Sequence, residues 1–240
     1  MNLKDLFHIR RKDIVTIIGA GGKTSLMMAL SKEFRDEKTL VTTTTKIFIP
    51  ESKDYDYLHI TENIQEFNYN KKGIWVIGVE VNKENKIFGI NDRELGYLAE
   101  SFNYIFIEGD GSKRKILKGW REDEPLVPNI TTKTLGVISL KALDVFIDYE
   151  NVHRLDKFLQ ISKGIESEKV NYNHLVNMIF NEDGLFKNSR GERILVINAV
   201  DNEEDKHKYY KLKELVEKRN KNYIDKVVGV SLKKGTVIYD

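Results

Sequence analysis

The chain contains no cysteine among its 240 residues, which excludes disulfides, thiolate metal sites and a cysteine nucleophile. Net charge is also nearly absent: 39 basic residues face 37 acidic ones, a formal +2. That balance supplies no global field to recruit nucleic acid or an anionic membrane. Lysine-rich pieces such as Lys113-Arg114-Lys115 and Lys206-His207-Lys208 lie beside acidic residues and read as solvated faces. No uncharged apolar run reaches the roughly 20 residues needed to span a bilayer. The first residues, Met1-Asn2-Leu3-Lys4-Asp5-Leu6-Phe7, lack the apolar stretch of a signal peptide. The expected location is cytoplasmic, with neither nucleic acid nor membrane as partner. Repeats, low-complexity tracts and Pro/Gly/Ser-rich linkers are missing too, so residues 1–240 are expected to form a single domain.

Apolar, β-branched runs recur along the chain: Ile14–Ile18, Thr39–Thr45, Ile74–Val79, Tyr104–Ile107, Leu135–Ile138, Ile194–Ile197, Lys226–Val230 and Thr236–Tyr239. Near-continuous apolar strands with helical patterns between them indicate a mainly parallel sheet covered on both faces. Helices are expected over Asp92–Ser101, Asn173–Asn181 and Glu203–Arg219. A polar hairpin is expected between Gly78 and Gly89, and the charge-rich stretch 149–191 reads as a helical insertion or lid. The expected fold class is a three-layer, doubly wound α/β sandwich.

Ile17-Ile18-Gly19-Ala20-Gly21-Gly22-Lys23-Thr24-Ser25 is the most informative segment. It reads strand, glycine loop, Lys-Thr, helix, the order of a P-loop. Glycines let backbone N–H groups approach a phosphate chain closely, and the positive end of a helix dipole then faces the anion. Lys23 adds a point charge at the β/γ-phosphates, and the Thr24 hydroxyl is a Mg²⁺ ligand. The full pattern G-x-x-x-x-G-K-[ST] places its first glycine at position 17, where this chain has isoleucine. A tight strand-to-helix turn with an incidental lysine is the competing explanation, and the ordered context favours phosphate.

In an open parallel sheet, ligands sit beyond the carboxyl ends of strands. After the second strand comes Thr42-Thr43-Thr44-Thr45-Lys46. One or two of these hydroxyls, Thr43 among them, are candidates for Mg²⁺ or the γ-phosphate. After Tyr104–Ile107 comes Glu108-Gly109-Asp110-Gly111-Ser112-Lys113, in which Glu108 and Asp110 suit a hard-cation site or a water-positioning role, and Gly111 leaves room for a backbone N–H at the γ-phosphate. Asn198-Ala199-Val200-Asp201 resembles the N-K-x-D base-recognition element of GTP-binding proteins, with Asn198 and Asp201 in register and Ala199 in place of lysine. Gly229–Lys233 falls where such proteins carry a second base-contacting loop. Lys113 to Arg121, running on to Glu124-Pro125, puts cations and an aromatic just after the acidic loop, and Asn151-Val152-His153-Arg154 begins the helical insertion; both are candidates for a second substrate or for charge neutralisation. A structural role for His153 is at least as well supported.

Taken in order, Gly19–Thr24, Thr42–Lys46, Glu108–Lys113, Glu124-Pro125, Asn151–Arg154 and Asn198–Asp201 resemble the YqeC family of accessory proteins for selenium-dependent molybdenum hydroxylases. Glu108-x-x-Gly111 is also similar to the acidic motif of the P-loop class that includes the nickel-insertion GTPases of hydrogenase and urease, and dethiobiotin synthetase. The resemblance implies a P-loop fold, binding of Mg²⁺ with ATP or GTP, and a homodimer. It also implies a place in maturing a selenium- and molybdenum-containing cofactor, with the hydroxylase maturation machinery as client. Without cysteine, a selenium intermediate would not ride on a protein thiol. The leading expectation is a Mg²⁺-dependent nucleoside triphosphatase. A small-molecule kinase or ligase-like transferase, and a non-enzymatic nucleotide-switched partner protein, are the alternatives.

Overall fold

The recurring β-branched runs form one large sheet in the computed structural model, which describes residues 2–233 and 237–239. In chain order the first half comprises α1 (Leu3–Leu6), β1 (Ile14–Gly19), α2 (Lys23–Lys32), β2 (Lys38–Thr43), β3 (Lys46–Phe48), β4 (Tyr57–Ile60), β5 (Gly73–Gly78), β6 (Lys86–Phe88), α3 (Asp92–Ser101) and β7 (Tyr104–Glu108). Then follow β8 (Leu117–Lys118), β9 (Lys133–Ser139), β10 (Val152–His153), α4 (Leu155–Ser162), α5 (Tyr172–Phe180), β11 (Glu192–Asn198), α6 (Glu203–Arg219), β12 (Lys226–Ser231) and β13 (Val237–Tyr239). The main sheet runs β13-β12-β11-β9-β1-β7-β2-β5-β4. Eight of its strands are parallel, and only β13 at one edge is antiparallel.

Strand alternation builds the three layers. On one face Val15, Ile17, Val41, Phe106, Val137 and Val196 pack with Leu3, Leu26, Met27 and Leu30 of α1 and α2. On the other, Ile18, Ile138, Leu195 and Ile197 pack under Phe158, Leu175, Ile179, Tyr209 and Leu212 of α4, α5 and α6. Ile14, Ile105 and Ile107 meet Leu95 and Leu98 of α3 on that same face. The expected doubly wound α/β fold, mainly parallel and P-loop NTPase-like, is therefore the one observed.

Helix boundaries follow local chemistry. The Asn91 side chain accepts from the Glu94 amide while Glu94 reaches back to the Asn91 amide, which starts α3 where the sequence places it. Asn202 caps α6, whose first turn is acidic and whose last turn is basic, matching the helix dipole. Within 149–191, α4 and α5 lie on the main sheet and share its apolar cluster. The chain turns back between Val81 and Ile87, as the expected hairpin requires, and β6 pairs with β3.

Two strands depart from the sequence reading. The threonine run stays in the sheet only to Thr43, because Gly89 packs against the Thr43 carbonyl and Lys46–Phe48 leaves to join β6. Tyr57–Ile60 forms an additional parallel edge strand, which its half-exposed, charge-flanked sequence does not announce. Of the expected final strand, Val237–Tyr239 is a strand and Thr236 lies outside the described residues. Phe106 is fully buried between β1 and β2, so Phe106→Ala is expected to cost about 3–5 kcal/mol, measured by urea unfolding.

Candidate functional site

Six adjacent strands end at the same edge of the sheet, on Ser231 (β12), Asn198 (β11), Ser139 (β9), Gly19 (β1), Glu108 (β7) and Thr43 (β2). Register aligns them: Asn198 lies opposite Ser139, and Glu108 lies between Ile17 and Thr43. Motifs scattered over more than 200 residues thus converge because parallel strands share one C-terminal edge.

Between β1 and α2 the chain has only Ala20, Gly21 and Gly22. Ile17, where the full P-loop pattern has its first glycine, is still a core residue of β1, so this turn is the shorter one. Gly22 adopts φ +135°, and a Cβ there would sit 2.2 Å from the Asn198 side-chain nitrogen. Only glycine satisfies both constraints. As N-cap of α2, Gly22 has no side chain to cap the helix, which leaves the first-turn amides of Lys23, Thr24 and Ser25 without an intrahelical partner. Ala20 is tied into the sheet through its amide and the Val137 carbonyl.

Lys23 folds back over this turn. Its ammonium donates to the Gly19 carbonyl at 2.8 Å and lies 3.5 Å from Glu108 and 3.4 Å from Asp110. Burial opposes its charge, but Asp110 and then Glu108 outweigh that and hold it above the ordinary lysine value. Thr24 donates its hydroxyl to Glu108 at 2.7 Å. Burial drives the Glu108 carboxyl above the usual carboxylate range, against the pull of Lys23 and Thr24. Lys23, Thr24 and Glu108 therefore form one compact polar cluster at the mouth of the glycine turn.

Asp110 is employed differently. Both carboxylate oxygens accept from the Gly19 amide at 3.1 Å, and one also accepts from Lys118 at 2.9 Å and the Trp120 indole at 2.7 Å. Burial penalises its charge, yet Lys118 and Lys23 together pull its carboxyl below the ordinary aspartate value. Its stabilising contribution is present above the ordinary aspartate range and is lost as pH falls through that depressed value. The buried ions continue: Lys118 lies 3.4 Å from Glu124, and Glu124 takes both arms of Arg154 at 2.5 and 2.7 Å. One connected path thus links Asp110, Glu124 and Arg154, from three separate sequence motifs. Lys118, its central member, lies inside the cationic stretch 113–121, but nothing in Leu117-Lys118-Gly119 marks this lysine as the buried one.

The other candidates are distributed around this core. Thr43 is buried and donates to the Glu108 main-chain carbonyl, while Thr42 serves Ile77, so both hydroxyls brace strand ends. Thr44 and Thr45 line the cleft instead. Asn198 donates to the Gly21 carbonyl at 2.8 Å, and Asp201 accepts from Ser231 at 2.6 Å with Lys141 3.6 Å away. Of the expected base element, Asn198 therefore meets the glycine turn and Asp201 meets the end of β12.

The cleft above these residues encloses about 1150 Å³. Nine basic residues line it (Lys23, Lys46, Lys86, Lys113, Arg114, Lys115, Arg121, Lys141 and Arg154) against Glu84, Glu108 and Glu124. This local excess of cations, hidden in a near-neutral chain, suits a polyanionic ligand. Among the described residues no cluster of three His, Asp or Glu could hold a metal by itself. His153 also lines the cleft, and burial, with Arg154 and Lys118 nearby, lowers its pKa to about 4.

Two outcomes follow. Asp110→Ala, which strands Lys118 and the Gly19 amide, is expected to destabilise by about 3–5 kcal/mol by denaturant unfolding, whereas a change below 1 kcal/mol would show the buried path to be idle. By NMR, the His153 imidazole is expected to stay neutral to about pH 4, so the folded state sheds stability as pH drops from the ordinary histidine range toward that value; a midpoint near 6.5 contradicts this environment.

Comparison with known proteins is consistent with these motifs. The family model described as YqeC protein matches residues 15–156, from β1 to the start of α4. A protein of Escherichia coli (strain K12) described as the uncharacterized protein YqeC is 27% identical over 198 residues, covering 77% of this chain and 74% of the relative. No solved structure matches significantly. The family match spans more than half of the chain and contains the glycine turn, the acidic loop and the His153-Arg154 pair, and on that ground the chain belongs to the YqeC family.

Proposed function

We propose that the chain binds a Mg²⁺-nucleoside triphosphate, ATP or GTP, at the glycine turn and hydrolyses it while serving the maturation of a selenium- and molybdenum-containing hydroxylase cofactor. The observation that carries the nucleotide reading is the uncapped N-terminus of α2, which opens on a cation-lined cleft with Lys23, Thr24 and Glu108 grouped at its mouth. First-turn amides and the helix dipole supply an anion cradle. Lys23 is the ammonium that would transfer from the Gly19 carbonyl to phosphate oxygens. The maturation role is taken from the family resemblance and not from geometry.

The donor set fits Mg²⁺. A threonine hydroxyl and a carboxylate 2.7 Å apart are hard oxygen ligands, and Mg²⁺ usually takes one or two protein oxygens and fills its shell with water and phosphate. Thr24 and Glu108 would hold it, and it would supply neutralisation of phosphate charge. Asp110, with its oxygens taken by Gly19, Lys118 and Trp120, is assigned to positioning the turn. Asn198 and Asp201 are assigned to the base side, where Asn198 fixes the turn and Asp201 is presented by Ser231.

Gly111 supports the same reading. A Cβ built there meets nothing within 4 Å, so protein packing does not explain the glycine, and the space before it belongs to the cleft. A second reading, transfer to an acceptor, is favoured by the cleft's size, which exceeds the roughly 300–1,000 Å³ of ordinary small-ligand sites.

A thermal-shift panel tests the proposal. Near 100-fold Kd, Mg²⁺-nucleotide is expected to raise Tm by about 5–10 °C, with one base preferred. Lys23→Ala and Thr24→Val should each remove the Mg²⁺-dependent shift while circular dichroism confirms folding. Gly111→Ala should leave the unliganded Tm unchanged and weaken binding about ten-fold, since only the ligand meets the new methyl. No shift with any Mg²⁺-nucleotide would end the assignment.

A further inference from the structure

The cleft continues past the glycine turn to a part that no nucleotide contact accounts for. One wall is the β3–β6 ribbon, with Lys46, Phe48 and Lys86; the facing wall is the loop after the acidic motif, with Lys113 and Arg114. The Arg114 guanidinium lies 4.2 Å from the centre of the Phe48 ring, and Lys86 approaches the same ring at 4.7 Å. Phe48 is nonetheless 40% exposed, so its ring is presented rather than buried.

Charge here is unbalanced. Glu84 is the one acid lining this part, and it is ion-paired with Lys86 at 2.6 Å. Among the described residues, Lys46, Lys113 and Arg114 have no carboxylate within ion-pairing distance. Lys86 first, with smaller contributions from Lys46 and Lys113, holds the Glu84 carboxyl below the usual range, so cations from both walls converge on one spot. Lys46 lies over the Phe88 ring at 3.9 Å and Arg114 over Phe48, so aromatic faces and the single Glu84 offset these like charges, and a further anion would relieve their mutual repulsion. Lys113 and Arg114 are moreover consecutive left-handed residues, with φ of 50° and 63°. Such backbone is costly for side chains this large, and it turns both of them at one point of the loop.

We propose that this end of the cleft is a second ligand subsite, for a small molecule that carries a phosphate or similarly charged group together with a flat unsaturated portion. Lys46, Lys113 and Arg114 take the anion, and the exposed part of Phe48, with Arg114 and Lys86 over its ring, borders the flat portion. The subsite is distinct from the phosphate cradle of α2. The inference rests on the nucleotide reading only in placing this molecule next to a triphosphate, where it would be the transfer partner; its binding does not require that reading.

Pyridoxal 5′-phosphate, a flat aromatic aldehyde with a phosphate, is a suitable probe. Its aldehyde condenses with a lysine amine that is unpaired and close to an anion site, with loss of water, and borohydride reduces the imine to a stable adduct that peptide mass spectrometry locates. On the wild-type chain, Lys46 or Lys113 is expected to be modified ahead of lysines outside the cleft such as Lys53 and Lys218, with inorganic pyrophosphate protecting. Arg114→Gln should raise the concentration needed for that labelling about ten-fold, while the Mg²⁺-nucleotide thermal shift falls far less than in Lys23→Ala. In Lys23→Ala the labelling should persist even where nucleotide binding is lost. Adducts confined to Lys23, or spread evenly over exposed lysines, would overturn the subsite, and either result leaves the nucleotide test to stand or fall on its own.

Discussion

Everything at the edge of this sheet depends on where Asp110 holds the last residue of β1. Its carboxylate takes the Gly19 amide on both oxygens, and the same carboxylate is fixed from behind by Lys118 and Trp120. Gly19 needs a positive φ and lies so close to Val137 that a methyl would meet its carbonyl at 2.2 Å. The glycine turn therefore cannot be repositioned without breaking a buried, charge-assisted contact. Such contacts add little when formed, since desolvation offsets them, and cost much when one partner is removed. Their effect here is to fix a geometry. The path on to Glu124 and Arg154 extends that fixity to the start of α4.

Much of the fold was legible in the residues. The parallel strands announce themselves by uninterrupted β-branched runs, because a strand buried on both faces has no polar side to write. The limits of α3 and α6 were readable because Asn91 and Asn202 cap them and charge follows the dipole. What escaped were elements whose identity is set by their neighbours. β4 is a strand because β5 offers it an edge, and its half-exposed side chains leave no clear pattern. The threonine run looks like one strand through Thr45, yet its end is decided by Gly89 on a distant segment.

The site divides the same way. Residue type and spacing pointed to Lys23, Thr24 and Glu108, since glycine, lysine, hydroxyl and carboxylate in that context have few other combined uses. They did not separate Glu108 from Asp110, two residues apart on the same loop. That distinction comes from Lys118 and Trp120, which surround one carboxylate and not the other. Similarly, the sequence left Lys113 and Arg114 open between a solvated face and a second-substrate segment, and only the fold sets them against Lys46 and Phe48 across a cleft. Charges that cancel over 240 residues say nothing about how they are sorted in space.

The ammonium of Lys23 is engaged by a backbone carbonyl and two carboxylates. On the proposed reading, an incoming anion would have to exceed that internal attraction before the side chain could swing toward it. A singly or doubly charged ion is poorly equipped for the exchange, whereas a longer chain of negative oxygens arriving with its own divalent counterion can satisfy the carboxylates and the lysine at once. On the proposed nucleotide reading the arrangement would act as a threshold, one that discriminates by total charge and by accompanying metal.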